Sequence, residues 1–237
     1  MASDAITEGI RSAQGRGKTP AKYVYVVVIS LWLAAIAAAF TMDYPIASWV
    51  YKTGLYSAVR WSRAAQMVKA AGTYYLSIGA GLILLFWRGY GLRSAVLVWL
   101  SGAISGLYYA VAKWVVGRSR PIYDNGFFNT RPFGFDLFHG GLRGLVFSHA
   151  NLSFPSGHAC VAFASASALA MLIPRWRVAL YAVAIAVGVQ RILEGSHYPS
   201  DTIAGAGLGV LAALTAESLI ARFESCPQSL KLKPKSR

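Results

Sequence analysis

Residues 23–42, "YVYVVVISLWLAAIAAAFTM", form one apolar block without a charged side chain, and this block decides the class of fold. A run of about 20 apolar residues is long enough to cross the hydrocarbon core of a bilayer as a helix. Inside lipid the backbone N–H and C=O groups find no water, so a spanning segment must satisfy them within its own helix. The stretch therefore predicts a transmembrane helix.

Five further segments have the same apolar character and predict further spans. They are residues 72–87, 94–116, 156–173, 177–192 and 202–221. With 56% hydrophobic residues over 237 positions, the chain is too apolar for an ordinary water-soluble domain. We expect an all-α fold, a six-transmembrane-helix bundle that forms one integral membrane domain over residues 1–237. A basic segment at 1–22 and a basic tail at 223–237 would flank this bundle.

The net charge of +14 raises the question of an anionic partner. Lys and Arg are spread over loops and tails, and the tail sequence "LKLKPKSR" suits an anionic membrane surface. We therefore expect contact with the membrane and no nucleic-acid partner. Six spans place both termini on one side, and a small excess of Lys and Arg on that side favours the cytoplasm.

Two other patterns concern the assembly of the bundle. Residues 43–71 mix aromatic and basic side chains, which predicts either a helix lying in the membrane interface or a solvated loop. The sequence leaves both interpretations open. Small residues at 101–106 ("SGAISG") and 204–209 ("AGAGLG") predict close packing between helices.

Charged and reactive residues gather where the predicted spans meet one side of the membrane. Successive spans cross in opposite directions, so the end of 94–116 lies beside the start of 156–173. The end of 177–192 and the start of 202–221 reach the same side for the same reason. Eight candidate site residues lie at these ends: Lys113, Arg120, Ser156, Gly157, His158, Arg191, His197 and Asp201. We therefore expect an active site at one membrane face.

The chemistry of these side chains indicates a phosphate site. Three cations beside a helix N-terminus attract phosphate through their charge and through exposed backbone N–H groups. A metal site needs several imidazole, thiolate or carboxylate ligands, so we expect no metal and no other cofactor. Asp201 would hydrogen-bond one ring nitrogen of His197 and leave the other nitrogen free to attack phosphorus. With His158 as general acid, this predicts phosphoryl transfer through a phosphohistidine.

Three motifs also carry a family resemblance. The stretches "KWVVGRSRP", "PSGH" and "RILEGSHYPSD" resemble the three signatures of the type 2 phosphatidic acid phosphatase superfamily. The resemblance implies that His197 is the nucleophile, Asp201 its partner and His158 the acid. It also implies the phosphate-binding residues Lys113, Arg120, Ser156, Gly157 and Arg191. One position departs from the pattern, because Gln190 stands where the family usually has Ser, and we expect altered phosphate contact rather than lost activity.

Together these observations predict an integral membrane lipid-phosphate phosphatase. The family implies four candidate substrates, namely phosphatidic acid, phosphatidylglycerol phosphate, undecaprenyl diphosphate and the phosphates of lipid A. A lipid phosphotransferase that uses the same histidine is an alternative enzyme, and a membrane anion transporter is the non-enzymatic alternative. Transporters place ionisable groups near the membrane midplane, whereas the candidate residues here lie at helix ends, which disfavours the transporter. We expect a bacterial inner membrane with the site facing the periplasm; the sequence predicts neither the headgroup nor the oligomeric state.

Several residues near the motifs have less specific interpretations. Arg118 is predicted to be a solvated neighbour of the site. Glu194 is either a surface residue or a partner of Arg191. The loop residues Arg131 and Arg143 are assigned surface positions, with headgroup contact as an alternative. His139 and His149 are loop histidines with no assigned task.

Overall fold

The computed structural model describes residues 21–123, 126–139, 141 and 151–225. Nearly all of the predicted basic segment 1–22 and most of the tail 223–237 lie outside these residues, as do Arg143 and His149. Eight α-helices occur in the described part: α1 (Ala21–Lys52), α2 (Leu55–Trp61), α3 (Arg63–Ala70), α4 (Tyr74–Phe86), α5 (Leu92–Val116), α6 (Gly157–Leu172), α7 (Arg177–Leu193) and α8 (Pro199–Ser225).

The all-α class is confirmed, but the number of six full-length spans is not. Four helices of the described chain, α1, α5, α7 and α8, are long and apolar enough to cross a membrane. Helices α3 and α4 are long and apolar enough only when taken together, and they are bent by 60° at the break between them. If this bent pair counts as one span, the described chain has up to five spans. Helix α6 has 16 residues, fewer than the roughly 20 that a span requires.

The segment 43–71 is helical over most of its length, so a plain solvated loop is wrong for it. Helix α1 continues through Pro45 to Lys52, well past the end of the apolar block. Gly54 then adopts a left-handed conformation with φ of 69°, which separates α1 from α2. Ser62 caps α3 by accepting a hydrogen bond from the backbone N–H of Ala65. The position of these helices in the membrane interface stays a prediction.

Small residues allow the close helix packing that the sequence predicts. A Cβ atom at Gly209 would lie 2.3 Å from the backbone oxygen of Cys160, so α8 contacts the α6 backbone directly. On another face of α8, Gly207 lies against Trp32 of α1, whose indole N–H donates to the Ile203 carbonyl at 3.0 Å. Helix α8 is therefore held between α1 and α6.

The apolar core lies between α4, α5, α6 and α8. Its buried members are Leu84, Leu97, Val98, Ala168, Ala213 and Ala216. Long apolar side chains on the outside, such as Tyr25 and Leu31 of α1, are exposed, as expected for a surface that faces lipid tails. Alternation of the helices brings the end of α5, the start of α6, the end of α7 and the start of α8 to one end of the bundle.

Candidate active site

A cavity of about 480 Å³ opens at this end of the bundle. Six of the eight predicted site residues line it: Lys113, Arg120, Gly157, His158, Arg191 and His197. The sequence did not identify three tyrosines that also line the cavity, Tyr74 and Tyr75 of α4 and Tyr109 of α5. No motif singled them out, because their place depends on how α4 packs against α5. The structure thus brings residues from three separate motifs to one cavity.

The loop before α6 is fixed against the end of α5 by a short set of hydrogen bonds. The buried Lys113 donates from Nζ to the Leu152 carbonyl at 2.6 Å. The backbone N–H of Arg120 donates to the Asn151 carbonyl at 3.1 Å. The backbone N–H of Ser153 donates to the Arg118 carbonyl at 2.6 Å. These bonds set the position of residues 151–153 relative to the cavity cations.

The ring of His197 is oriented by a backbone carbonyl. Its Nδ1 lies 2.8 Å from the Ser153 oxygen, whereas the nearest Asp201 oxygen is 3.7 Å away. The expected hydrogen bond between His197 and Asp201 is therefore wrong as a description of this structure. A carbonyl only accepts, so the hydrogen-bond network assigns the ring proton to Nδ1 and the lone pair to Nε2.

The electrostatic surroundings keep this ring neutral. Burial lowers the pKa of His197 well below its ordinary value, and the nearby cations Lys113, Arg191 and Arg120 lower it further. A neutral imidazole with a free lone pair at Nε2 is the form that can act as a nucleophile. The ring therefore has the protonation state that a nucleophilic role would require.

Asp201 takes part in a buried ion cluster that the sequence does not predict. Arg118, predicted to be solvated, is fully buried and donates to Asp201 and to Asp43 of α1, each at 2.8 Å. Its guanidinium also lies 3.9 Å from the ring centroid of Tyr198. Asp43 accepts from the Ser200 backbone N–H at 3.0 Å, which fixes the start of α8 against α1. The sequence contains one sign of this cluster, because Asp43 is an ionisable residue at the end of an apolar span.

Ser156 and Asp201 lie behind the cavity rather than in its lining. The Ser156 side chain accepts from the Ala159 backbone N–H and caps α6. The Ser156 backbone N–H donates to the Asp201 carbonyl oxygen at 2.9 Å, which joins the starts of α6 and α8. A Cβ at Gly157 would lie 3.3 Å from the Tyr109 ring, so the absence of a side chain leaves room at the helix start.

Glu194 is the partner of Arg191 rather than a surface residue. Its carboxylate accepts from Arg191 and from Gln190, at 3.2 Å for the latter, and forms an ion pair with Lys69 of α3 at 3.1 Å. Burial alone would raise the pKa of Glu194, but Arg191 and Lys69 outweigh it, so the net direction is downward and the carboxylate is ionised. Gln190 is buried against this carboxylate and does not line the cavity; its effect on phosphate contact stays a prediction.

Comparison with known proteins agrees with the motifs. The sequence model of the PAP2 superfamily, the type 2 phosphatidic acid phosphatases, matches residues 94–223, which include all three motifs. The chain belongs to this superfamily. A superfamily member from Bacillus subtilis, a transmembrane PAP2 type phosphatidylglycerolphosphate phosphatase of known crystal structure, shares the fold. It aligns with a TM-score of 0.55 and 18% identity over 85% of this chain and 98% of that one.

Among curated PAP2-related proteins, two lipid A 1-phosphatases are similar in sequence. The protein from Rhizobium johnstonii is 39% identical over 133 residues, which are 55% of this chain and 48% of the relative. The protein from Rhizobium etli is likewise 39% identical over 133 residues, 55% of this chain and 50% of the relative. The chain therefore matches about half the length of these curated relatives.

Proposed function

We propose that this protein is a membrane phosphatase that removes a phosphate group from a lipid through a phosphohistidine. One observation carries the proposal: two histidines from different segments, His158 and His197, line one cavity together with three cationic side chains. The lipid A 1-phosphatases that the chain resembles over half their length favour the phosphates of lipid A as the first substrate to test.

Phosphate binding is assigned to the cations of the cavity. Lys113 and Arg191 are buried, so their attraction for a phosphate dianion is screened little by water. Arg120 completes the positive wall, and the start of α6 at Gly157 presents backbone N–H groups to an anion. Glu194 already neutralises part of the charge on Arg191, and an entering phosphate competes with it for the guanidinium.

The first chemical step is attack of the His197 Nε2 lone pair on phosphorus. A bond forms between Nε2 and phosphorus, and the bond from phosphorus to the lipid oxygen breaks. His158, whose protonated form is favoured by the bound dianion, gives its proton to the departing oxygen. Lys113, Arg120 and Arg191 stabilise the charge on the transferring phosphoryl oxygens.

The second step regenerates the enzyme. His158, now neutral, takes a proton from a water molecule as the water oxygen attacks the phosphohistidine. The bond between phosphorus and Nε2 breaks, and inorganic phosphate leaves. In both steps the Ser153 carbonyl accepts the hydrogen bond from the Nδ1–H of His197, so the ring keeps the same orientation.

The location proposed for the site is the periplasmic face of a bacterial inner membrane, with cytoplasmic termini. The small excess of Lys and Arg that the full sequence places on the side of the termini supports this orientation. A headgroup at the helix ends can reach the cavity while the lipid tails stay beside the exposed outer faces of the helices.

The decisive experiment measures phosphate release by the purified protein from lipid A, phosphatidylglycerol phosphate, phosphatidic acid and undecaprenyl diphosphate. Release should persist with a chelator present, and His197→Gln should reduce it by at least about 10³-fold, as expected for loss of a nucleophile. His139→Gln, which alters a histidine in the loop after α5, is the matched control. Release that is independent of His197, or that requires a divalent metal, contradicts the mechanism.

A further inference from the structure

A second cavity adjoins the candidate active site. Its volume is about 900 Å³, and it shares a wall with the first cavity through Arg120, His158 and Arg191. Helices α2 and α3 form one side of it, and the linker between α7 and α8 forms the other. A group bonded to the reacting phosphate can therefore extend directly from the first cavity into the second.

Positive side chains dominate the lining of this second cavity. Besides the two shared arginines, it contains Arg60, Arg63 and Lys69. Among the described lining residues the one carboxylate is Glu194, which is already bonded to Arg191 and Lys69. The chemistry of the cavity therefore suits an anionic group, and a phosphate with a charge of about −1.5 to −2 matches it well.

The wall that carries these cations has a defined structure. The Gln66 side chain donates from Nε2 to the Arg60 carbonyl at 2.8 Å, which joins α2 to α3. The Lys69–Glu194 ion pair at 3.1 Å joins α3 to the α7–α8 linker. These two contacts fix α2 and α3 beside the α7–α8 linker, where both helices line the second cavity.

The rim of the cavity is apolar and faces outward. Trp61 is 83% exposed and Met67 is 75% exposed, although both are large hydrophobic residues. Exposed Trp beside Arg and Lys is typical of the membrane–water interface, where lipid headgroups lie. If α2 and α3 lie at that interface, the cavity opens at the depth of the lipid headgroups.

We infer that the second cavity binds another phosphate group on the same lipid molecule whose first phosphate lies between His158 and His197. This inference rests on the proposed function and adds a substrate class to it: lipids with a large polar headgroup that carries a second phosphate. Arg60, Arg63 and Lys69 line the second cavity and not the first. Arg63 tests this class most directly, because the two contacts that join α2, α3 and the α7–α8 linker involve Arg60 and Lys69 instead.

The test compares three lipids in neutral detergent micelles. They are lipid A with both of its phosphates, lipid A with only the 1-phosphate, and phosphatidic acid. Wild-type kcat/KM should be about tenfold higher for the doubly phosphorylated lipid A than for the singly phosphorylated one, the scale of one charge-assisted hydrogen bond. Arg63→Gln should remove most of this difference, Arg63→Lys should restore part of it, and phosphatidic acid hydrolysis should stay unchanged.

Matched controls separate the inference from general effects. Arg88→Gln removes an exposed cation at the opposite end of the bundle and should leave the preference intact. Equal wild-type turnover of the two forms of lipid A overturns the inference, as does an equal loss on all three lipids in Arg63→Gln. Adding phosphatidylglycerol should not raise turnover of the singly phosphorylated form, because such activation would mean that a neighbouring lipid supplies the anion.

A binding measurement distinguishes failure of the inference from failure of the proposed function. Absence of phosphate release from every lipid counts against the phosphatase, but the two forms of lipid A can still be compared for affinity to the His197→Gln protein. Tighter binding of the doubly phosphorylated form that is lost on adding Arg63→Gln supports the second phosphate site. Equal affinity of the two forms refutes it.

Discussion

Replacement of Arg118 by Met is expected to unfold the start of α8 and to inactivate the protein. The guanidinium donates at 2.8 Å to each of four acceptors: Asp43, Ser200, Asp201 and the Pro132 carbonyl. Met fills much of the same volume but leaves two buried carboxylates without their cation. Removal of one partner from a buried ion pair costs about 3–5 kcal/mol of the free energy of unfolding.

The assay is thermal denaturation in detergent, followed by the loss of the monodisperse peak on size exclusion. At about 2–4 °C per kcal/mol for a chain of this size, the midpoint should fall by roughly 6–20 °C. Arg88→Met changes an exposed arginine in the same way and should move the midpoint by no more than about 2 °C, because surface substitutions stay within about 0.5 kcal/mol. Phosphatase activity of the folded fraction should fall by at least about tenfold, or 1.4 kcal/mol.

A double-mutant comparison tests the cause. Asp43→Asn removes one of the two carboxylates, so adding it to Arg118→Met should cost less than the sum of the separate losses, since both changes act on one ion cluster. An Arg118→Met protein that keeps the wild-type midpoint and activity would refute the argument. Strict additivity of the two changes would show that the cluster does not act as a unit.

Two further predictions concern packing and protonation. Gly209→Ala should lower the free energy of unfolding by about 1–3 kcal/mol, because the added Cβ would lie 2.3 Å from the Cys160 oxygen. Gly79→Ala is the control: its added Cβ would meet no atom within 4 Å, so this protein should not be destabilised. NMR of the ligand-free protein should show a neutral His197 ring below pH 6.5. At such a pH the unfolded chain binds a proton at His197 that the folded chain does not bind. The free energy of unfolding should therefore fall as the pH drops below 6.5. A His197 pKa at or above 6.5 contradicts this.

Composition and connectivity were sufficient to predict six of the residues that line the cavity, but not its three tyrosines. Alternating apolar segments fix which helix ends share one side, and six candidate residues line one cavity for that reason. Helix lengths were less predictable, because apolar character and helical structure end at different residues. The block at 23–42 ends before Asp43, yet α1 continues to Lys52, since the charge of Asp43 is compensated by Arg118.

The partners of His197 and Asp201 were the part that the sequence could not reveal. The sequence predicts a hydrogen bond between His197 and Asp201, and α8 begins at Pro199, after His197. The ring therefore lies outside the helix and meets the Ser153 carbonyl instead. Asp201 is left to pair with Arg118, and this contact spans 83 positions of the chain.

The Asp43–Arg118 contact changes what counts as the minimal working unit of this protein. The superfamily match begins at residue 94, so Asp43 and all of α1 lie outside it. Yet α1 supplies one of the two carboxylates that neutralise Arg118 and anchors the backbone of Ser200 at the start of α8. The first helix is thus a structural component of the end of the bundle that holds the candidate site rather than an exchangeable membrane tether, and replacing it with a generic hydrophobic helix would remove one of the two counter-ions of Arg118.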